Sequence, residues 1–259
     1  MTLPIAKKSL GQHWLNDETV LNNIVESANI DANTVVLEIG PGLGSLTKIL
    51  ASKAKKVVAV ELDDNLAKNL SNKVKADNLE VYNQNIFKFN LNDLPQNYIL
   101  VANIPYYITN HLMRLISESE SPPIKAVILV QKEVAQRICA KPGAMSLLSV
   151  STQYYFDVSL GIIVKSELFI PPPKVDSQVV ILNRKKHLPL SKTQEKDLFK
   201  LVKAGFSERR KKLRSSLSGG LGISKGEAEE LLNRAGINPN SRAQELSVDD
   251  WLQLRGQNY

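Results

Sequence analysis

The run Val101-Ala-Asn-Ile-Pro-Tyr-Tyr107 places an amide, a proline and two phenol rings directly after a short apolar stretch. An exocyclic amino group on adenine is a poor nucleophile, because its lone pair is delocalised into the ring. Two acceptors that take its N–H bonds draw the nitrogen toward a tetrahedral shape and free that pair. The Asn103 side-chain oxygen can be one acceptor, and a backbone carbonyl held outward by Pro105 the other. Tyr106 can stack on the base after it leaves its neighbours. No strong general base is needed, since the amine becomes acidic once it is alkylated. Catalysis is then mainly alignment, an effect worth up to roughly 7–11 kcal/mol in well-oriented systems. Taken singly, Asn103 would read as a turn residue and Tyr106 as a half-buried ring. The whole run at a strand end favours Asn103, Pro105 and Tyr106 as a catalytic set.

A second constellation lies upstream. Glu38-Ile-Gly-Pro-Gly-Leu-Gly44 joins an apolar run to a helical pattern. Gly40 and Gly42 permit a tight turn and close approach of a ligand to the backbone, and the helix start offers free N–H groups. Glu61 ends the next apolar run 19 residues after Gly42, where a carboxylate can accept hydrogen bonds from both hydroxyls of a ribose. The pairing fits an adenosine-type cofactor. The third glycine comes one residue too early for a dinucleotide fingerprint, and no G-x-x-x-x-G-K-[ST] is present. Glu38 would repel a pyrophosphate but suits a ligand with a positive centre. S-adenosylmethionine, with its sulfonium and ammonium groups and no phosphate, is favoured over a dinucleotide.

These residues need strands to position them. Thr34–Ile39, Lys56–Glu61, Leu79–Tyr82, Tyr98–Ala102 and Lys125–Val130 are short, apolar and bounded by turn signals, which predicts buried strands. Leu43–Ala51 and Asp63–Val74 carry helical spacing between them. Alternation of this kind favours right-handed βαβ units and a parallel sheet covered on both faces. After residue 145 the rhythm changes: Leu147–Phe156, Ser159–Val164 and Ser177–Leu182 read as antiparallel strands at one sheet edge. Pro171-Pro-Pro-Lys-Val-Asp176 reads as a stiff extended loop. Lys185–Ser191 reads as a linker, and the pattern from Thr193 onward is helical. The expected division is an α/β domain over residues 1–185 and a small all-α domain over 186–259.

Composition narrows the class. The chain has 259 residues, 43% hydrophobic and 23% charged, which is ordinary for a folded protein. One cysteine, Cys139, and three scattered histidines offer no disulfide and no metal-ligand spacing. No apolar run approaches a membrane span and no signal peptide is evident, so the expectation is a soluble, cytoplasmic, metal-free protein, with nothing that requires a dimer. The net charge is +7, and residues 186–259 hold 14 basic against 9 acidic side chains, most of the excess. The densest part is Lys203–Leu213, with Arg209, Arg210, Lys211 and Lys212, and Arg214 follows directly. Such a run suits a phosphate backbone, although most charge runs are solvated faces.

Over nearly its whole length the sequence resembles the ribosomal RNA adenine N6,N6-dimethyltransferases, the bacterial small-subunit enzymes above all. The likeness rests on Lys8-Ser-Leu-Gly-Gln-His-Trp-Leu-Asn-Asp17, Val36–Gly44, Asn103-Ile-Pro-Tyr106, Pro171–Ser177 and Phe206–Arg214. It implies a class I methyltransferase fold, Rossmann-like with a seven-stranded sheet, and a helical C-terminal domain that contacts RNA. It also implies methylation of two adjacent adenosines in a hairpin loop near the 3′ end of 16S rRNA, in an assembling 30S subunit. The family's cofactor contacts fall on positions matching His13, Leu15, Gly40, Glu61, Asn85 and Asn103. Two depart from the family pattern, which has Asn at His13 and Asp at Asn85. The competing readings are a large-subunit adenine methyltransferase of the antibiotic-resistance type, a catalytically idle RNA- or DNA-binding factor, and, more distantly, a nicotinamide dehydrogenase.

Overall fold

The computed structural model describes residues 6–208 and 210–257. They form two compact units, the first running up to Ala135 and resuming over Asp157–Arg184, the second comprising Gln136–Phe156 and the chain from Lys185 onward.

In chain order the first stretch contains β1 (Trp14–Leu15), α1 (Glu18–Ala28), β2 (Val35–Ile39), α2 (Ser45–Lys53), β3 (Lys56–Glu61), α3 (Asp64–Val74) and β4 (Leu79–Asn83). It continues with β5 (Ile99–Asn103), α4 (Thr109–Glu118), β6 (Lys125–Gln131), α5 (Lys132–Ile138) and α6 (Leu147–Tyr155). Then come β7 (Phe156–Val164), β8 (Phe169–Ile170) and β9 (Ser177–Arg184). Seven strands make one sheet in the order β4-β3-β2-β5-β6-β9-β7, and β1 pairs with β8 in a separate two-stranded sheet. The five strands from β4 to β6 are parallel, and β9 runs antiparallel to β6.

The apolar runs explain the sheet. Val57, Ile99, Val101, Val127 and Leu129 join a core with Leu21, Ile24 and Val25 of α1 and Leu46 and Leu50 of α2. Alternate residues Val58, Val60, Leu100, Ala102, Ile128 and Val130 are equally buried, so both faces are covered, as continuous apolar strands require. Burial of each such side chain contributes roughly 1.5–3 kcal/mol. Side-chain caps start the helices: Asp17 accepts from Val20 N at the head of α1, and Asp63 from Asn65 and Leu66 at the head of α3.

One expected strand is a helix. Leu147–Tyr155 is α6, and only the following residues enter β7. Its β-branched and aromatic residues favour a strand, but Ser146 and Ser149 form a reciprocal capping box, and Val150, Tyr154 and Tyr155 are buried at helical spacing.

The second unit adds α7 (Lys192–Phe206), α8 (Leu213–Leu221), α9 (Lys225–Arg234) and α10 (Val248–Arg255). Its centre holds the fully buried Trp251 with Leu198, Leu201, Leu217 and Leu232. A Cβ at Gly205 would lie 2.3 Å from the Trp251 ring, so glycine lets that indole reach α7. Among the described residues no helix is long and apolar enough to cross a membrane, and no group of His, Cys, Asp or Glu side chains is arranged to hold a metal ion.

Candidate active site

The strand register gathers the site. Ile39 lies beside Val60 of β3 and Ala102 of β5, so the next residue of each strand path, Gly40, Glu61 and Asn103, meets at the carboxyl edge of the sheet. Glu61 in turn sits beside Asn83 of β4, two residues ahead of Asn85. A ligand crevice at this edge is the general expectation for parallel α/β sheets. The cleft there is lined by His13, Leu15, Gly40, Gly42, Glu61, Asn85, Asn103, Pro105 and Tyr106, among others. All nine residues that the sequence nominated for donor binding and catalysis therefore share one cavity.

The glycine loop is held from below. Gly40 N–H donates to the Val60 carbonyl at 2.9 Å and Gly44 N–H to the Pro41 carbonyl at 2.9 Å. Gly42 has a φ of +58°, and a Cβ there would come within 2.9 Å of the Trp14 ring. Glu61 is 6% exposed; one carboxylate oxygen accepts from Gly42 N at 3.1 Å and the other from Asp63 N at 2.8 Å. Burial pushes its carboxyl above the usual carboxylate range, against the pull of those backbone donors. A carboxylate so fixed has lone pairs left for ribose hydroxyls. Leu62, Ile86 and Phe87 line the same wall. They supply apolar faces for a purine, and Leu62 and Phe87 are exposed. Among the described residues that line this cleft there is no lysine or arginine, which fits a phosphate-free adenosine ligand.

Asn85 sits at the head of a short 3-10 turn, where its Oδ1 accepts from Phe87 N at 3.0 Å. The second lone pair of that oxygen can still accept from an adenine amino group.

On the acceptor side, β5 ends at Asn103 and Pro105 starts a 3-10 turn over Tyr106–Ile108 that leads directly into α4. The Pro105 carbonyl accepts from Ile108 N at 3.2 Å and the Tyr106 carbonyl from the Thr109 hydroxyl at 2.9 Å. The Ile104 carbonyl is then the acceptor next to Asn103 that these turn bonds do not use. Tyr106 shares a 2.7 Å hydrogen bond between its hydroxyl and Ser177 Oγ, which fixes its ring. A Cβ at Gly40 would stand 3.8 Å from the Asn103 carbonyl, so donor loop and acceptor turn are in contact.

Sequence reasoning passed over several participants. Asp63 is 4% exposed, pairs with Lys7 at 2.8 Å and accepts from Gln12 Nε2 at 3.2 Å, which ties the N-terminal segment to the donor side of the cleft. Burial raises its carboxyl, but these partners and the start of α3 outweigh it and hold the group below the ordinary Asp range. Its place two residues after Glu61, before a helix, was the available signal. Ser177, Ile86 and Phe87 carried none that a single sequence exposes.

The basic run lies in the second unit. Arg210, Lys211 and Lys212 are exposed. Lys211 pairs with Glu208 at 2.5 Å, Lys212 donates to Asn240 Oδ1 at 2.8 Å, and Arg214 pairs with Glu229 at 2.9 Å. Arg209 lies outside the described residues.

A seven-stranded sheet of this order, with its glycine loop and acidic partner at the carboxyl edge, defines a class I methyltransferase. Two solved structures share the fold: a dimethyladenosine transferase from Plasmodium falciparum and the 23S rRNA methyltransferase ErmE. The first has a TM-score of 0.81 and 27% identity, covering 93% of this chain and 96% of that one. The second has a TM-score of 0.76 and 28% identity, covering 94% and 98%. The ribosomal RNA small subunit methyltransferase A of Dehalococcoides mccartyi is 44% identical over 253 residues, 96% of this chain and 87% of its own length. The family profile for ribosomal RNA adenine dimethylase matches residues 5–256, and the chain belongs to that family.

Proposed function

We propose that this enzyme transfers methyl groups from S-adenosylmethionine to N6 of two adjacent adenosines in a hairpin loop near the 3′ end of 16S rRNA, acting on the assembling 30S subunit. The observation that carries the reading is the meeting of Gly40, Glu61 and Asn103 at one sheet edge, with Asn103-Ile-Pro-Tyr106 facing the same cleft. Glu61 would hold the donor's ribose, Asn85 its adenine, and the backbone at Gly40 and Gly42 its amino-acid end, with His13 and Leu15 closing the cleft. When bound, S-adenosylmethionine supplies an electrophilic methyl carbon on a positively charged sulfur.

The remaining work falls to this chain. Asn103 Oδ1 and the Ile104 carbonyl accept the two N–H bonds of the target amine and turn its lone pair toward the donor. No described hydrogen bond occupies the Asn103 amide, which leaves it available for this. Tyr106, fixed by Ser177, provides a face for the extruded base. The proton leaves after attack, when the nitrogen is cationic and acidic. The division of labour follows the sequence reading: residues 1–185 carry the transfer, and the basic segment of 186–259, Arg209 to Arg214, holds rRNA phosphates. A monomer working without metal accounts for every step.

The test is labelled methyl transfer to undermethylated small subunits, followed by mass analysis of the nucleosides. Dimethyladenosine should appear with the wild type and vanish with Asn103→Ala. Transfer to naked large-subunit RNA instead would favour the activity named for ErmE. Donor binding with no transfer to either RNA would leave a binding factor and refute the proposal.

A further inference from the structure

The residue after Tyr106 is placed differently from it. Tyr107 also lines the cleft, yet its side chain is 60% exposed, the highest value for a large hydrophobic side chain among the described residues. Tyr106 is half-buried, with its hydroxyl bonded to Ser177. Among the described residues no hydrogen bond holds the Tyr107 hydroxyl. A lone exposed ring is ordinary on a protein surface. At the rim of a cleft that admits a nucleobase, it has a use.

Two features fix this ring before any ligand arrives. Its backbone lies in the 3-10 turn Tyr106–Ile108, which Ile108 N–H closes onto the Pro105 carbonyl at 3.2 Å and which Pro105 stiffens. One side of the ring rests against Gly11: a Cβ there would stand 3.4 Å from two of its carbons and 3.3 Å from Pro105 Cβ. Gly11 has a φ of +60°, so its backbone also favours glycine. The ring is thus backed on one side and open to solvent elsewhere. Holding it in place beforehand reduces the ordering cost of binding.

The connectivity of an RNA strand decides what reaches it. Extruding a base breaks its stacking with its neighbours, at a cost of a few kcal/mol. Those neighbours are tied to it through the sugar–phosphate chain, so they stay at the mouth of the cleft. Tyr106 and Tyr107 are consecutive, with Cα atoms about 3.8 Å apart. A ring beside the base-holding turn can therefore replace the stack that a neighbour has lost. One base–aromatic stack contributes about 1–3 kcal/mol.

We propose that Tyr107 is a positioning residue for the acceptor strand, its ring stacking on the adenosine adjacent to the one being methylated. The proposal rests on the adenosine-pair reading above and adds a subsite for the second member of the pair.

The test compares wild type, Tyr107→Ala and Tyr107→Phe on undermethylated small subunits, with donor affinity read separately by titration calorimetry. Tyr107→Ala should raise KM for the subunit by about 5- to 150-fold, the range of one lost stack. Tyr107→Phe keeps the ring and should stay within about threefold of wild type, with donor affinity within about twofold in both variants. Subunits whose 16S rRNA carries uridine in place of one adenosine of the pair leave a single target beside a smaller ring. Both such subunits are prepared, one for each position. With at least one of them the penalty for Tyr107→Ala should shrink several-fold, because the stack it removes is already weakened. Equal losses in the two variants, an undiminished penalty on both uridine-bearing subunits, or a weakened donor overturns the platform while the methylation reading stands. Absence of any adenine methylation by the wild type overturns both.

Discussion

Glu38 should make this fold less stable as the solution becomes more alkaline, by an amount large enough to measure. It lies on β2 beneath the glycine loop, 1% exposed, beside Ala59 and Val101, and neither carboxyl oxygen has a hydrogen-bond partner. Burial pushes its pKa up to about 8; the Thr47 hydroxyl nearby, itself without a hydrogen-bond partner, offsets only part of the rise, and the Glu61 carboxylate adds to it. Below pH 4.5 the side chain is protonated in both folded and unfolded chains, and it has no effect. Between 4.5 and about 8 the unfolded chain gives up the proton and the folded chain keeps it, so stability falls as pH rises. Above about 8 the loss is complete. At 1.36 kcal/mol per pH unit the window corresponds to about 5 kcal/mol, and relaxation around an ionised group brings the expectation to about 2–5 kcal/mol. Glu38→Gln keeps the shape and removes the titration. Urea unfolding of both proteins at pH 5, 7 and 9 should show a small gap at pH 5 that widens in favour of the variant by pH 9. A gap that stays constant across this range would refute the reasoning.

Three further outcomes follow from the geometry. Donor affinity should weaken as pH falls through the raised pKa of Glu61, because the ribose contact needs the carboxylate. Glu61→Gln should bind the donor about 10- to 150-fold more weakly and lose that acid dependence, as read by titration calorimetry; a surviving acid limb would place it elsewhere. Gly42→Ala combines a φ of +58° with a contact on Trp14 and should cost about 1–3 kcal/mol in urea unfolding. Arg210→Ala and Lys212→Ala should each flatten the salt dependence of subunit binding by about 0.7–0.9 in log–log slope, while Arg214→Ala, already held by Glu229, should do less. Equal slopes for all three would argue against phosphate contacts there.

Residues at the ends of parallel strands could be read from sequence because chemistry and period coincide there. Gly40, Glu61 and Asn103 each follow an apolar run whose length fixes where the strand stops, and parallel register then brings the stops together. Leu147–Phe156 reads as a strand by side-chain type, but Leu147–Tyr155 is α6, because the Ser146–Ser149 pair that caps it is a local signal that outranks strand propensity. The return of residues 8–17 across the cleft was legible only through the family resemblance. Its fixing contacts include a two-residue strand and bonds to Asp63 and Pro171, each more than 50 positions away. Period and propensity report on neighbours within a turn or a pleat. They are silent on a side chain whose orientation depends on one distant carbonyl. His13 is such a side chain: its Nδ1 lies 2.6 Å from the Pro171 carbonyl, 158 positions away, and its ring stacks on Tyr106.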